Sequence, residues 1–167
     1  YAQVLKLDPQ DSAAYAGRGI ALAAIGRSDE AMADLNTVVR LDPKSSTAYI
    51  DRADLYTALG DWKRAAMDYR VAVEMDGQSA RAYQNVAWLM ATCPDEKHRN
   101  TALAVKAARR AIELQGQTYL GLDTYAAALA SNGEFAKAAA AQHRAIQQAP
   151  QQERKLLDTR LALYQQQ

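Results

Sequence analysis

Cysteine is nearly missing: Cys93 is the only one among 167 residues. An intramolecular disulfide is therefore impossible, and a cysteine-rich metal site is excluded. One thiol fits cytoplasm or periplasm, so localisation stays open. Aromatics are scarce at 7%, with a single phenylalanine. The formal net charge is only +1, so no broad field draws the chain to nucleic acid or an anionic membrane. No apolar run reaches the ~18 residues of a membrane-spanning helix. Valine and isoleucine are sparse and no segment alternates in polarity, so no strands are expected. Without strands, no glycine-rich phosphate loop can follow one. The opening residues do not read as a secretory leader, and none is expected in this stretch.

What is present is alanine. Hydrophobic residues reach 49%, and 36 alanines supply much of that. Alanine is the best helix former and lets helix axes approach closely. An all-α fold is expected, and the chain is long enough to bury a sizeable core.

The sequence also copies itself. Tyr15, Tyr49 and Tyr83 are spaced by 34 residues, and Leu122 follows 39 later. Ala31, Ala65, Ala104 and Ala138 take steps of 34, 39 and 34. Gly26, Gly60 and Gly133 mark turns between helices. Pro9, Pro43 and Pro150 close units, and Gly77 stands where another proline would. Four kinds of marker share one register. The clearest unit is Ser46 to Ser79, two helical patterns joined at Leu59-Gly60-Asp61, neither of which could bury its apolar face alone.

A 34-residue period with this pattern resembles the tetratricopeptide repeat. The second repeat supplies Tyr49, Ala53, Tyr56, Ala65, Tyr69 and Ala72. The first supplies Tyr15, Gly19, Leu22, Ala31, Leu35 and Val38. The fourth supplies Leu122, Ala126, Leu129, Ala138, Gln142 and Ala145. Gln142 departs from the aromatic habit there, which predicts looser or solvent-facing packing. The resemblance implies a right-handed α-α superhelix, a solenoid whose first helices line a concave face. Small residues at Gly19, Ala53, Ala87 and Ala126 are expected where the helices of a pair touch. The stretch from AWLMATCPDEKHRN through LDTYAAALASNGEFAKAA is also similar to the C-terminal repeats of bacterial multidomain proteins of this family.

In chain order, residues 1–11 read as the end of a truncated repeat, which suggests a fragment or a cut N-terminus. Repeats follow at 12–45, 46–79, 80–118 and 119–150, the third with a five-residue insertion at Cys93–Arg99. All are read as one domain. Ser12, Ser28, Asp61 and Asn100 are candidate helix N-caps. Residues 151–167 read as a capping helix with Leu156, Leu157, Leu161 and Tyr164 on one stripe.

Nothing points to catalysis. Cys93 and His98 share a loop, but no third group orients the histidine. His98 and His143 are too isolated for a metal site, and no HExxH is present. No cofactor is expected. Arg109-Arg110 and the scattered lysines form no continuous stripe, so neither nucleic acid nor membrane is expected as a partner.

For function, the resemblance implies a non-catalytic protein-interaction scaffold that takes a peptide or protein surface in its concave groove. Register assigns that face Ala13, Ala16, Gly17 and Ile20, then Thr47, Ile50, Asp51 and Asp54. Arg81, Gln84, Asn85 and Trp88 follow, then Leu120, Asp123, Thr124 and Ala127. The candidate contacts are Ile50, Asp51, Asp54, Arg81, Gln84, Asn85, Trp88 and Asp123. Trp88 offers a flat apolar body with one N–H donor. It can equally be read as packing between repeats. Asn85 both donates and accepts, and Arg81 suits a carboxylate. The acids suit a partner with Lys or Arg. The lysine of the family's chaperone-tail clamp is missing, because Ala16, Ile20, Ile50 and Asp54 stand at those places. The asparagine ladder of sugar-transferase arrays is missing too, with Gly17, Asp51, Asn85 and Thr124 in its register. Alternatives are a regulatory or targeting segment of a larger enzyme, a kinase or transferase, and self-association through the N-terminal face.

Overall fold

The computed structural model describes residues 1–167 and contains helices and turns only. The helices are α1 (Ala2–Leu7), α2 (Ser12–Ala24), α3 (Ser28–Leu41), α4 (Ser46–Ala58) and α5 (Trp62–Met75). They continue with α6 (Ala80–Thr92), α7 (Thr101–Gln115), α8 (Tyr119–Ser131), α9 (Phe135–Gln148) and α10 (Gln151–Gln165). A single 3-10 turn, Glu96–His98, sits in the Cys93–Arg99 insertion. The chain divides into two compact units, Tyr1–Gly77 and Gln78–Gln167.

In the first unit α2 packs on α3, and α4 on α5. The contacts are close because the facing residues are small. A Cβ on Gly19 would lie 3.2 Å from Leu35 Cγ and 3.3 Å from Asp34 Cβ. Ala53 in α4 is wholly buried, as are Ala31 and Ala65 on the second helices. Leu35 and Leu55 join Ala31 in one apolar cluster, backed by Leu22 and Met32.

In the second unit α6 packs on α7 and α8, and α8 on α9. Ala87, Ala104, Ala107, Ala108 and Ala128 form an almost purely alanine core. Leu122, Ala145, Ala149 and Leu157 form a second cluster, which ties α10 to α8 and α9. Leu157 and Leu161 are buried and Tyr164 is half-buried, but Leu156 is 52% exposed. The expected four-residue stripe on α10 is thus three residues wide. Positions 157, 161 and 164 lie one above another on a helix, whereas 156 is turned about 100° away.

Helix starts follow side-chain chemistry, with two corrections. Asp61 and Asn100 accept from Arg64 N and Leu103 N, as expected of N-caps. Ser12 and Ser28 do not cap. Asp11 caps α2 by accepting from Ala14 N at 2.9 Å, so Ser12 becomes its first helical residue. The α3 cap position is Arg27, without a side-chain bond; Asp29 and Glu30 in the first turn complement the helix dipole instead.

Gly26, Gly60 and Gly133 end the first helix of a pair at φ 79, 77 and 79. That left-handed backbone costs an L side chain about 1 kcal/mol. Nothing lies within 4 Å of a Cβ built on Gly133. Gly133→Ala is therefore expected to lose about 1 kcal/mol from backbone strain alone, read as a lower urea midpoint at unchanged m-value. No loss would mean the turn adjusts its φ freely.

Candidate functional site

The groove residues expected on α4 are engaged in packing. Ile50 is 2% exposed and Asp51 is 8% exposed. Ala48, Ile50, Asp51, Ala53 and Leu55 are all buried. At 100° per residue they spread around the helix, so α4 is enclosed from several sides. It does not keep the free stripe that register assigned to Ile50 and Asp51. Asp54 also serves the interior: its Oδ1 accepts from the hydroxyl of Tyr69 in α5 at 2.6 Å. Tyr69 is 3% exposed, so its hydroxyl needs a partner inside the fold.

The first unit holds a repeated ionic clasp that the sequence reading missed. Arg52 in α4 donates to both Asp68 oxygens in α5, Nε at 2.7 Å and Nη2 at 2.9 Å. Arg18 in α2 grips Asp34 in α3 the same way, with both distances 2.7 Å. Asp34 and Asp68 are buried. Hydrogen bonding to Asp68 raises the pKa of Arg52, with desolvation opposing it; Asp34 does the same for Arg18. The Arg52 guanidinium also lies 5.6 Å and 6.0 Å from the ring centres of Tyr49 and Tyr56. The signal was present in the sequence, since both members recur 34 residues apart.

On α6, Arg81, Gln84, Asn85 and Trp88 fall at i, i+3, i+4 and i+7 and share one face. Arg81 is exposed, and the other three are half-buried. Gln84 Oε1 accepts from Gln115 Nε2 at 2.9 Å. The Arg160 guanidinium of α10 lies 4.8 Å from the centre of the Trp88 ring.

The same Arg160 is ion-paired with Asp123 of α8. Asp123 is 6% exposed, and its second oxygen accepts from Gln142 Nε2 at 2.9 Å. Asp123 was expected to await a basic partner, but its two oxygens already serve Gln142 and Arg160. Gln142, expected to be loose or solvent-facing, is completely buried. Its position is interior whichever residue fills it. The amide is tolerated because Asp123 and the Leu157 carbonyl, 3.2 Å away, take its two N–H groups. Its Oε1 has no partner. Beside this cluster, burial raises the pKa of the Tyr164 hydroxyl and the Asp123 charge adds to the shift.

The insertion is held rather than loose. Cys93 is 1% exposed, Arg99 Nε donates to its carbonyl at 2.6 Å, and Asn100 N donates to Met90 O. His98 stands 3.8 Å from Asp95. No helix is long and apolar enough to cross a membrane.

The overall charge of +1 conceals a division. Residues 1–77 carry 12 Asp and Glu against 9 Lys and Arg, a net of −3. Residues 78–167 carry 7 against 11, a net of +4.

Two-helix units in series, with small residues at the crossings and glycine in the turns, define a class of all-α repeat proteins. The tetratricopeptide-repeat family model matches residues 1–46 and 33–80. A solved thermophilic protein of this family from Thermus thermophilus superposes with a TM-score of 0.79 at 20% identity, covering 99% of this chain and 87% of that one. YrrB, described as having an unusual peptide-binding site, gives 0.70 at 17% identity over 89% of this chain and 74% of its own. The first tetratricopeptide-repeat domain of Spaghetti, solved with an HSP90 peptide, gives 0.66 at 19% identity over 75% of this chain and 96% of its own. No curated protein matches by sequence. Residues 1–80 belong to the tetratricopeptide-repeat family, and the fold class of the chain is the all-α repeat solenoid.

Proposed function

We propose that this chain is a protein-interaction scaffold without catalysis of its own, and that it holds a peptide segment against α6. The observation that carries the reading is the row Arg81, Gln84, Asn85 and Trp88. It combines a cation, two amides and an aromatic ring on one reachable face. Such a row can hold an extended backbone through its amide groups and take one apolar side chain on the indole, with Gln84 giving up its bond to Gln115 and Arg160 moving off the Trp88 ring as the segment binds. The neighbours solved with a peptide or with a described peptide-binding site are consistent with this use of the fold. A chaperone tail does not follow from them, since Ala16 and Ile20 stand where the clamp needs polar groups. Ile50, Asp54 and Asp123 drop out of the contact set because they are buried or bonded internally, and buried Asp51 joins them.

Affinity capture from source lysate, with mass spectrometry, tests the reading. Trp88→Ala combined with Asn85→Ala should lose a partner that the native chain holds, a weakening of at least about tenfold. Circular dichroism must show unchanged helix. Equal recovery by the folded variant would remove α6 as the site.

Self-association is a second reading. Tyr1, just before α1, is 61% exposed, and Val4 and Leu7 on α1 are 42% and 89% exposed. Light scattering across a concentration series decides it: a constant monomer mass excludes it.

A further inference from the structure

The second unit has a cleft of about 340 Å³ between α7 and α9, with α8 beneath it. Its floor is apolar. Leu122, Tyr125 and Leu129 come from one face of α8, and Ile112 comes from α7. Its rim is basic, with Arg109 on α7 and Lys137 and Arg144 on α9. Glu113 is the only acid lining it, and Arg110 answers that charge at 3.2 Å. Lys137 is paired with Glu134 at 2.6 Å. Arg144 donates only to the neutral amide of Gln117, and Arg109 has neither an ion pair nor a hydrogen bond. Two guanidinium groups therefore stand at the mouth of an apolar cleft without an ion-paired acid, the Glu134 carboxylate being near enough to act on Arg109 only at longer range. They lie in the unit that carries the +4.

We infer that this cleft is a second interaction site, separate from the α6 row, for an acidic protein segment that inserts one bulky apolar side chain. Charge complementarity selects the acid: a guanidinium pair forms forked bonds to carboxylates more readily than to any neutral group. The lining selects the anchor: half-buried Ile112 and Tyr125 still offer apolar surface to one aliphatic or aromatic side chain, whereas Leu122 and Leu129, each 2% exposed, are already packed behind them. A nucleic acid fits less well, because the cleft offers two guanidinium groups around a floor with a single aromatic ring, Tyr125, and no row of aromatic platforms.

Fluorescence anisotropy with a labelled Asp-Glu-Phe-Leu-Asp-Glu peptide tests this on the whole chain. Saturable binding is expected, weakening several-fold as salt rises from about 0.05 to 0.5 M. Arg109→Glu with Arg144→Glu should weaken it at least tenfold. Both side chains are exposed, so the fold should tolerate reversal. Ala140→Trp keeps every charge but fills the cleft from an exposed position, and it too should weaken binding at least tenfold. Trp88→Ala should leave this binding unchanged, which separates the cleft from the α6 row. The inference is overturned if the native chain shows no saturation by about 1 mM, or if either cleft variant binds within twofold of native. A version with Ala for Phe and Leu that binds equally, or an oligothymidylate that binds as tightly, overturns it as well.

Discussion

Asp123→Ala is expected to cost about 3 kcal/mol, with α10 loosening first. The carboxylate is 6% exposed and joins three helices: α8 carries it, α9 supplies Gln142 and α10 supplies Arg160. Removing it leaves the buried Gln142 amide with one remaining bond, to the Leu157 carbonyl at 3.2 Å. The Gln142 Oε1 already lacks a partner, so little local relaxation can compensate. Arg160 keeps its place over Trp88 but loses its counter-ion. A buried group stripped of its partner costs its full desolvation, whereas replacing both partners by apolar groups can be nearly neutral. The double variant Asp123→Ala, Gln142→Leu should therefore regain at least about 1 kcal/mol over the single one. Urea unfolding measures both, and hydrogen exchange should show residues 151–165 opening early in the single variant. A single-variant loss below about 0.5 kcal/mol would make the cluster incidental to stability.

This cluster also shows where the sequence was legible and where it was not. Period, turn glycines and interior alanines could be read because each recurs: one chain contains several copies of the same packing problem. Ala53, Ala87 and Ala126 are all completely buried, as their shared register implied. Gln142 was misread because the register tells that a position is interior, not how a polar side chain there is satisfied. Its partners come from α8 and α10, 19 and 15 residues away, and no spacing rule pairs them. The groove residues on α4 failed for a related reason. Periodicity assigns a face to each residue but not the number of neighbours around the helix, and α4 is buried on several sides. The charge division was readable by counting the two halves separately, but the net +1 hid it. The shift at Ser12 reflects competition between adjacent capping groups, which Asp11 wins for α2; at Ser28 the helix starts one residue earlier than expected with no side-chain cap at all.

Arg52→Ala should destabilise the first unit by about 2–4 kcal/mol, more than Arg18→Ala. The two clasps have the same geometry, so the difference lies in solvent and surroundings. The Arg52 side chain is 18% exposed against 36% for Arg18, so truncating Arg52 removes more buried contact, while the two acids left behind are similarly shielded at 10% and 7%. Arg52 also spans two tyrosine rings and donates to Asn36 Oδ1 at 3.0 Å, whereas Arg18 lies over Tyr15 alone. Its loss therefore removes packing as well as charge. Lysine should not rescue position 52, because one ammonium cannot reproduce two parallel bonds to Asp68 while stacking on Tyr49. A double-mutant cycle with Asp68→Ala isolates the ionic part: the coupling should reach at least about 1 kcal/mol, with the double variant costing less than the sum of the singles. The contrast with the second unit sharpens the expectation. There the corresponding pairs are Val86 with Ala107 and Tyr125 with Ala141, so no ionic clasp can form at that register. Salt should weaken the first unit's clasp only slightly, since Asp68 is largely shielded from solvent. Equal losses for Arg52→Ala and Arg52→Lys, with strong coupling to Asp68, are the expected signature of a planar, bidentate clasp. Full rescue by lysine would instead reduce it to a point-charge contact.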